Sequence, residues 1–192
     1  MPPLVLGSTS RYRAELLRRI HEDFAQDAPG VDECHHPGEA PGDRALRLAI
    51  AKAEAVAARH PGALVIGSDQ VAELDGTPLD KPGSAERARE QLRRSSGRTV
   101  QFHTALCLLD ARDGTRQQHV DVTRAVFRPL SDPEIERYVA REQPLDCAGS
   151  FRCEALGISL FERIETDDPT ALVGLPLIAL ARLLRRAGLA LP

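Results

Sequence analysis

Two lysines stand out in a chain whose other basic residues are all arginine. Of the 25 basic residues 23 are arginine, and the exceptions are Lys52 and Lys81. An ammonium group is a compact, strongly hydrated charge that contacts single phosphate oxygens in ways that a planar guanidinium does not. The two lysines are therefore candidate phosphate ligands. Two surface lysines that simply persisted in an arginine-rich chain would give the same count.

Carboxylates accompany these lysines. Asp69 follows the apolar run at residues 63–66, so we expect it to close a buried strand, where open α/β sheets gather their ligands. Asp32 and Glu33 precede the helical segment that carries Lys52. Carboxylates together with two lysines are the groups needed to hold a divalent cation and a polyphosphate. The chain has neither a Walker A sequence nor a Rossmann glycine fingerprint, so it uses neither of the two commonest phosphate loops.

A third candidate lies at the start of the first predicted helix. Ser8, Ser10 and Arg13 surround this helix N-terminus, where free backbone amides and the positive end of the helix dipole favour an anion such as phosphate. A serine N-cap beside a surface arginine explains the same residues, and taken alone it is the better explanation.

The elements that must position these groups follow from hydrophobic periodicity and turn residues. They alternate in a way that predicts one α/β or α+β domain, spanning residues 1–192 and built on a mixed sheet. Strands are predicted at residues 4–6, 63–66, 99–109, 115–127 and 158–164, and helices at residues 11–20, 44–59, 84–95, 131–142 and 176–187.

Composition excludes several classes of function. A net charge of -3 gives no basic field for nucleic acid, and Arg93, Arg94 and Arg98 are more simply the solvated face and end of one helix. No apolar run approaches the roughly 20 residues that cross a bilayer. The first residues lack the basic region of a signal peptide, so we expect a cytoplasmic protein with no membrane partner. The four cysteines form no Cys-x-x-Cys pair and are expected to be reduced thiols.

A series of short motifs runs in order along the chain. They are Ser8-x-Ser10-x-x-Arg13 with Glu15-Leu16-Leu17, Val31-Asp32-Glu33, Ala51-Lys52-Ala53, Gly67-Ser68-Asp69, Lys81-Pro82 and Ala148-Gly149. Together they resemble the Maf family of nucleotide pyrophosphatases. The resemblance extends from residue 4 to about residue 188 with compatible spacing, so it is more specific than any single motif.

The resemblance implies a two-lobed α/β fold similar to that of the ITPases, in which a mixed, twisted sheet is flanked by helices and bears an active-site cleft. It also implies a homodimer, and hydrolysis of nucleoside triphosphates to a monophosphate and pyrophosphate with a divalent cation. The residues that match the family's site positions are Ser8, Arg13, Glu33, Lys52, Asp69 and Lys81.

These roles agree with elementary chemistry. Glu33 and Asp69 would hold the metal, and Asp69 would orient and deprotonate a water molecule. Lys52, Lys81 and the helix amides beside Ser8 and Arg13 would offset charge on the phosphates. Magnesium, manganese and cobalt all suit hard oxygen ligands, so the sequence does not choose among them.

The resemblance also bears on the substrate. One branch of the family acts on dTTP and UTP, and another, which this chain resembles more closely, acts on 7-methyl-GTP. The likeness to the second branch rests on Tyr12, Gln70 and Gly149-Ser150-Phe151 with Glu154. Methylation at N7 makes the guanine ring cationic and its donor edge more acidic, so Glu154 is expected to accept from that edge and Tyr12 to stack on the ring. An ordinary surface aromatic is the alternative for Tyr12.

Two other functions stay open at this point. Hydrolysis of dTTP or UTP keeps the same chemistry with another base. A non-catalytic regulator of septum formation would bind nucleotides without turning them over, although the full set of carboxylates and lysines argues against it. One departure from the family is Asp80, which stands before Lys81 where the family usually has glycine.

Overall fold

The computed structural model describes residues 2–191 and arranges them around a seven-stranded mixed sheet. The strands are β1 (Leu4–Gly7), β2 (Ala25–Gln26), β3 (Leu64–Leu74), β4 (Thr77–Pro78), β5 (Thr99–Asp110), β6 (Arg116–Phe127) and β7 (Phe161–Glu165). The helices are α1 (Arg11–Arg18), α2 (Pro41–Ala57), α3 (Ala85–Ser95), α4 (Asp132–Glu142) and α5 (Leu177–Arg186). Short 3-10 turns lie at Ala148–Ser150, Leu156–Leu160 and Ala171–Val173.

The sheet changes direction at its centre. Its strand order is β2-β1-β3-β5-β6-β7, with β4 paired to β3. Strand β1 is parallel to both β2 and β3, whereas every pairing from β3 onward is antiparallel. The prediction of an α/β fold with a mixed sheet flanked by helices is therefore confirmed.

Local capping explains most of the helix boundaries. Helix α2 begins at Pro41, three residues before the predicted start, because proline is well suited to the first turn of a helix. The predicted capping box opens α4: the Ser131 backbone N–H donates to Glu134 Oε2 at 2.8 Å. Ser84 Oγ accepts from the backbone N–H of Arg87 at the start of α3.

The prediction that Asp69 closes a strand is wrong. Strand β3 continues to Leu74, and its antiparallel ladder with β5 covers residues 64–73. The polar Ser68 does not end the strand, because its buried hydroxyl lies 2.9 Å from Ala105 O and 3.0 Å from Gly174 O. The parallel partner β1 ends at Gly7, which pairs with Gly67. Asp69 thus lies just beyond the end of the parallel pair of β1 and β3. This is still a position where open α/β sheets bind ligands, although β3 itself continues past it.

The strand predicted at residues 158–164 begins later than expected. Residues 156–160 form a compact 3-10 turn, and β7 starts only at Phe161. Gly157 packs so tightly in this turn that a Cβ atom there would lie 2.3 Å from Arg152 O. Ile158 is 55% exposed, so its hydrophobicity does not report a place in the sheet.

Strand alternation divides the core between the two faces of the sheet. Leu4 and Leu6 pack with apolar residues of α1 and α5, whereas Val5 packs with α2. A third cluster joins α3 and α4 to the start of β5 and the end of β6. In this cluster four phenylalanine rings meet edge to face at centroid distances of 4.7 to 5.7 Å. Within residues 2–191, none of the helices combines the length and the apolar character that crossing a membrane requires.

Gly67 sets how closely α2 approaches the sheet. A Cβ atom at this position would lie 2.1 Å from Ala49 O and 2.7 Å from Ala53 N, both on the backbone of α2. Rigid backbone atoms cannot yield as a flexible side chain can. Only glycine allows this approach, and Lys52 of the same helix lies with its Nζ 2.6 Å from Asp69 Oδ1 on β3.

We expect Gly67→Ala to lower the free energy of unfolding by more than about 3 kcal/mol, because α2 must move off the sheet. Urea unfolding measures the change. Gly42→Ala is the matched control, since its Cβ would meet only the His103 ring, at 3.3 Å, and should change stability by less than about 1 kcal/mol. Equal losses in the two variants would contradict the close approach as the cause.

Candidate active site

A cavity of about 390 Å³ opens where β1 ends and β3 continues; we call it the central cavity. It is walled by β3, α2, the start of α1 and the segments around residues 80, 147–154 and 172–174. Eight of the nine residues singled out from the sequence line it: Tyr12, Arg13, Glu33, Lys52, Asp69, Gln70, Lys81 and Glu154.

The centre of the cavity is an ion cluster on Lys52. This side chain projects from the middle of α2 and is only 5% exposed. Its Nζ lies 2.6 Å from Asp69 Oδ1 and 2.6 Å from Glu33 Oε1. A buried ammonium needs such partners, and one cation between two carboxylates leaves the cluster with a formal charge of −1.

Glu33 is the most exposed of the three residues in this cluster. Burial opposes its ionisation, but the hydrogen bond from Lys52 and the nearby charges of Lys81 and Arg13 outweigh it, so the pKa of Glu33 lies below its usual value. The carboxylate is therefore ionised at neutral pH and able to bind a cation.

Arg13 is held from two sides at the start of α1. Its Nε donates to Gly174 O at 2.8 Å, and its Nη1 lies 3.4 Å from Ser8 Oγ. Burial lowers the pKa of the guanidinium, against the opposing charges of Asp69 and Glu33. The side chain thus has a fixed direction along the cavity wall.

Asp32, named above as a candidate carboxylate, does not line the cavity, and of the nine residues with an assigned role only Ser8 does not line it. Ser8 is 5% exposed, and its hydroxyl accepts from the backbone N–H of Ser10 at 3.1 Å as well as from Arg13. Ser10 lines the cavity and caps α1. Ser8 is thus placed to fix the turn and Arg13, while direct phosphate binding by Ser8 stays a prediction.

Lys81 differs from Lys52 in being exposed. Within residues 2–191 it makes no hydrogen bond or ion pair, although it lines the cavity and its charge reaches Glu33. A cation without a protein partner at the mouth of a cavity is suited to an anionic ligand.

The residues predicted to recognise the base, Tyr12, Gln70 and Glu154, line the same cavity. The Arg11 guanidinium sits 4.7 Å from the centroid of the Tyr12 ring and donates to the Tyr12 hydroxyl at 2.8 Å, so one face of this ring is already covered. Glu154 is exposed, with the Cys153 thiol 3.5 Å from Oε2. A carboxylate in this position keeps acceptor capacity for a ligand.

Gln70 turns its amide toward the protein. Its Nε2 lies 2.9 Å from Thr104 Oγ1, 3.0 Å from Ala171 O and 3.1 Å from Leu172 O. Only two hydrogens serve these three acceptors, so the amide nitrogen is fully engaged and the amide oxygen is the group left for a ligand.

Sequence reasoning missed Arg44 as a residue of the cavity. Arg44, Leu48 and Lys52 stand four residues apart on α2, so they lie on one face of the helix, and all three line the cavity. The spacing of eight residues from Lys52, two steps of four on one helix face, is the signal that could have identified it. Asp80, noted only as a departure from the family, also lines the cavity and pairs with Arg44.

The site's carboxylates suit a metal shared with a ligand. Among residues 2–191 there is no group of three or more His, Cys, Asp or Glu side chains that could hold a metal ion. Glu33 and Asp69 nevertheless bring two hard oxygen donors to one point at Lys52. Mg²⁺ is commonly bound through one or two protein carboxylates together with substrate phosphates and water, so this pair fits such an ion.

The chain matches the family model described as Maf-like protein over residues 3–187, so it belongs to that family. A relative from Xanthomonas campestris pv. campestris (strain 8004), named 7-methyl-GTP pyrophosphatase, is 60% identical over 192 residues and 100% of both chains. A second with that name, from Bordetella pertussis (strain Tohama I), is 57% identical over 98% of this chain and 94% of its own. The solved structure of the Staphylococcus aureus Ham1 protein has a TM-score of 0.47 and 21% identity, over 65% of this chain and 71% of that one.

We expect Lys52→Met to raise the pKa of Glu33, because burial would then be opposed only by more distant cations. A carboxyl ¹³C NMR titration measures it. Asp32 is the internal control, since its pKa is lowered by the Cys34 thiol and backbone N–H and should not move. An unchanged Glu33 pKa would show that Lys52 does not control its ionisation.

The same change should alter the pH dependence of stability. A carboxylate whose pKa is lower in the folded state stabilises the fold above its unfolded pKa, and this contribution is lost as the pH falls through the folded pKa. The loss on acidification that is due to Glu33 should therefore shrink in Lys52→Met, as measured by urea unfolding between neutral and acidic pH.

Proposed function

We propose that the chain hydrolyses 7-methyl-GTP to 7-methyl-GMP and pyrophosphate. The observation that carries the proposal is the buried Lys52 between Asp69 and Glu33 in a cavity that also holds Arg13 and Lys81, the latter without a hydrogen bond or ion pair among residues 2–191. Family membership and the name shared by full-length relatives at 57 and 60% identity support the reaction and the substrate. Removal of a modified nucleotide from the nucleotide pool is the house-cleaning role that this activity would serve.

The proposed cofactor is a divalent cation, with magnesium, manganese and cobalt all acceptable to oxygen ligands. Glu33 and Asp69 would hold it, and the ion would supply charge neutralisation at the phosphates. The remaining ligands would come from the substrate and water, as the two-carboxylate donor set requires.

The chain's own groups divide the reaction between them. Asp69 accepts a proton from the water that attacks phosphorus. Lys52 donates a hydrogen bond to one oxygen of the Asp69 carboxylate and so fixes its position. The bond between the α-phosphorus and the bridging oxygen breaks, and pyrophosphate leaves with that oxygen. Lys81 and Arg13 stabilise the negative charge that accumulates on the departing phosphates.

Recognition of the base is proposed for Tyr12, Gln70 and Glu154. The Glu154 carboxylate accepts from the acidified donor edge of 7-methylguanine, and the free face of the Tyr12 ring stacks on the cationic base. Gln70 contributes its amide oxygen, because its nitrogen is bound to the protein.

The reaction is tested by pyrophosphate release from 7-methyl-GTP, GTP, UTP and dTTP in the presence of each metal. A preference for 7-methyl-GTP is expected. A preference for UTP or dTTP would retain the chemistry and overturn the proposed base recognition. Absence of turnover with all four nucleotides and all three metals would overturn the enzyme assignment in favour of a nucleotide-binding regulator of septum formation. A homodimer and a cytoplasmic location remain predictions.

Asp69→Asn should reduce kcat by about 10²- to 10⁴-fold, because an amide cannot accept the proton of the attacking water. Asp110→Asn is the matched control: Asp110 is also a buried strand aspartate paired with a cation, Arg112, but lies at the end of the β3–β5 ladder, whereas Asp69 lies in its middle. Similar losses in both variants would argue against proton acceptance by Asp69.

Glu154→Gln should lower kcat/KM for 7-methyl-GTP relative to UTP about tenfold, since a charge-assisted hydrogen bond becomes a neutral one. Glu162→Gln, an exposed glutamate on β7 that does not line the cavity, should leave this ratio unchanged. An unchanged ratio in Glu154→Gln would remove Glu154 from base recognition.

A further inference from the structure

Arg44 is an unusual residue in the wall of the central cavity. Its side chain is 13% exposed, and its Nε is buried without a hydrogen-bond partner among residues 2–191. A buried donor without a partner costs stability. This Nε therefore lowers the stability of the fold. The contacts of the rest of the guanidinium group indicate what the charge does there.

The two Nη groups of Arg44 join separate segments. Nη1 lies 3.3 Å from Asp80 Oδ1, and Nη2 donates to Glu33 O at 3.3 Å. Arg44 thus connects α2 to the segment that carries Lys81 and to the loop that carries Glu33. Asp80 is also fixed from behind, because its carbonyl oxygen accepts from Gln91 Nε2 at 2.8 Å.

Asp80 would be harmful in this position without Arg44. It is a 66% exposed carboxylate in the wall of a cavity that we propose receives a polyanionic triphosphate, and it is adjacent in sequence to Lys81. Left alone, it would repel the phosphates and compete with them for the Lys81 ammonium. A guanidinium at 3.3 Å neutralises the carboxylate and holds it in place.

We propose that Arg44 and Asp80 form a clasp that keeps Lys81 available to the phosphates, with Arg44 as a positioning residue that neutralises Asp80. The inference rests on the proposed function, because it assumes a polyphosphate ligand. The clasp acts through Lys81 and the Glu33 loop, and neither of its members takes part in proton transfer.

The test compares four forms of the full chain: wild type, Arg44→Met, Asp80→Asn and the double variant. Methionine keeps an apolar stem of similar length and helix propensity. Two measurements are made on each form, namely KM and kcat with 7-methyl-GTP, and the Kd of inorganic tripolyphosphate by calorimetry. The second measurement needs no turnover.

Arg44→Met should raise both KM and the tripolyphosphate Kd about fivefold, with a smaller change in kcat, because it unmasks a like charge beside the ligand. Asp80→Asn alone should change either constant less than about twofold, and the double variant should return to that level. The difference should shrink at high ionic strength. Arg44→Met should change stability in urea only slightly, because the lost contacts with Asp80 and Glu33 O are offset by removal of a buried Nε that has no hydrogen-bond partner among residues 2–191.

Arg89→Met is the matched control, because Arg89 forms a 2.7 Å ion pair with Glu136 between α3 and α4 and does not line the cavity. It should leave KM and Kd unchanged. The clasp would be overturned if the double variant had a KM and a Kd as high as those of Arg44→Met, or if Arg44→Met had the Kd of the wild type. In either case turnover of 7-methyl-GTP by the wild type would still support the proposed function. If the four forms show the expected order of tripolyphosphate Kd values but the wild type hydrolyses none of the nucleotides, the clasp is supported and the proposed function is overturned.

Discussion

A lysine is buried as a charged ammonium at little cost only where anionic groups surround it, and the central cavity supplies two such groups to Lys52. The two partners come from different parts of the chain: Asp69 from the middle of β3, and Glu33 from the loop before α2. Because each lies 2.6 Å from the same atom, the helix, the strand and the loop have little freedom to move independently. The cluster therefore fixes both the position of the site and its charge.

This cluster depends in turn on backbone geometry. Gly67 lets α2 come close enough for Lys52 to reach Asp69 two residues further along β3. The end of β1 at Gly7 leaves β3 without its parallel neighbour beyond this point, which opens the space that becomes the cavity. The break in pairing on one side of β3 thus leaves room for the cavity, while the ladder with β5 continues to Glu73 on the other side.

Sequence patterns predicted most of this arrangement, because helix caps, apolar periodicity and the motifs around Lys52 and Asp69 are local signals. They failed where tertiary contacts decide the outcome. The extension of β3 through Ser68 depends on acceptors from β5 and residue 174, and the turn at Leu156–Leu160 depends on packing against Arg152. Eight of the nine residues assigned a site role from the sequence line the cavity, but the pairing of Arg44 with Asp80 joins residues 36 apart and leaves no local trace.

Successive side chains of β3 point to opposite faces of the sheet and make two different sets of contacts. Ser68 and Gln70 on one face of β3 bind the backbone at residues 171–174, whereas Asp69 on the other face meets α2. The same short arc supplies the carbonyl of Gly174 that aims Arg13. The base selectivity proposed for Gln70 and the phosphate binding proposed for Arg13 therefore depend on the same backbone arc. A substitution at residue 70 removes hydrogen bonds to the arc that orients Arg13, so on the proposed function a search for altered substrates has to recover both properties at once.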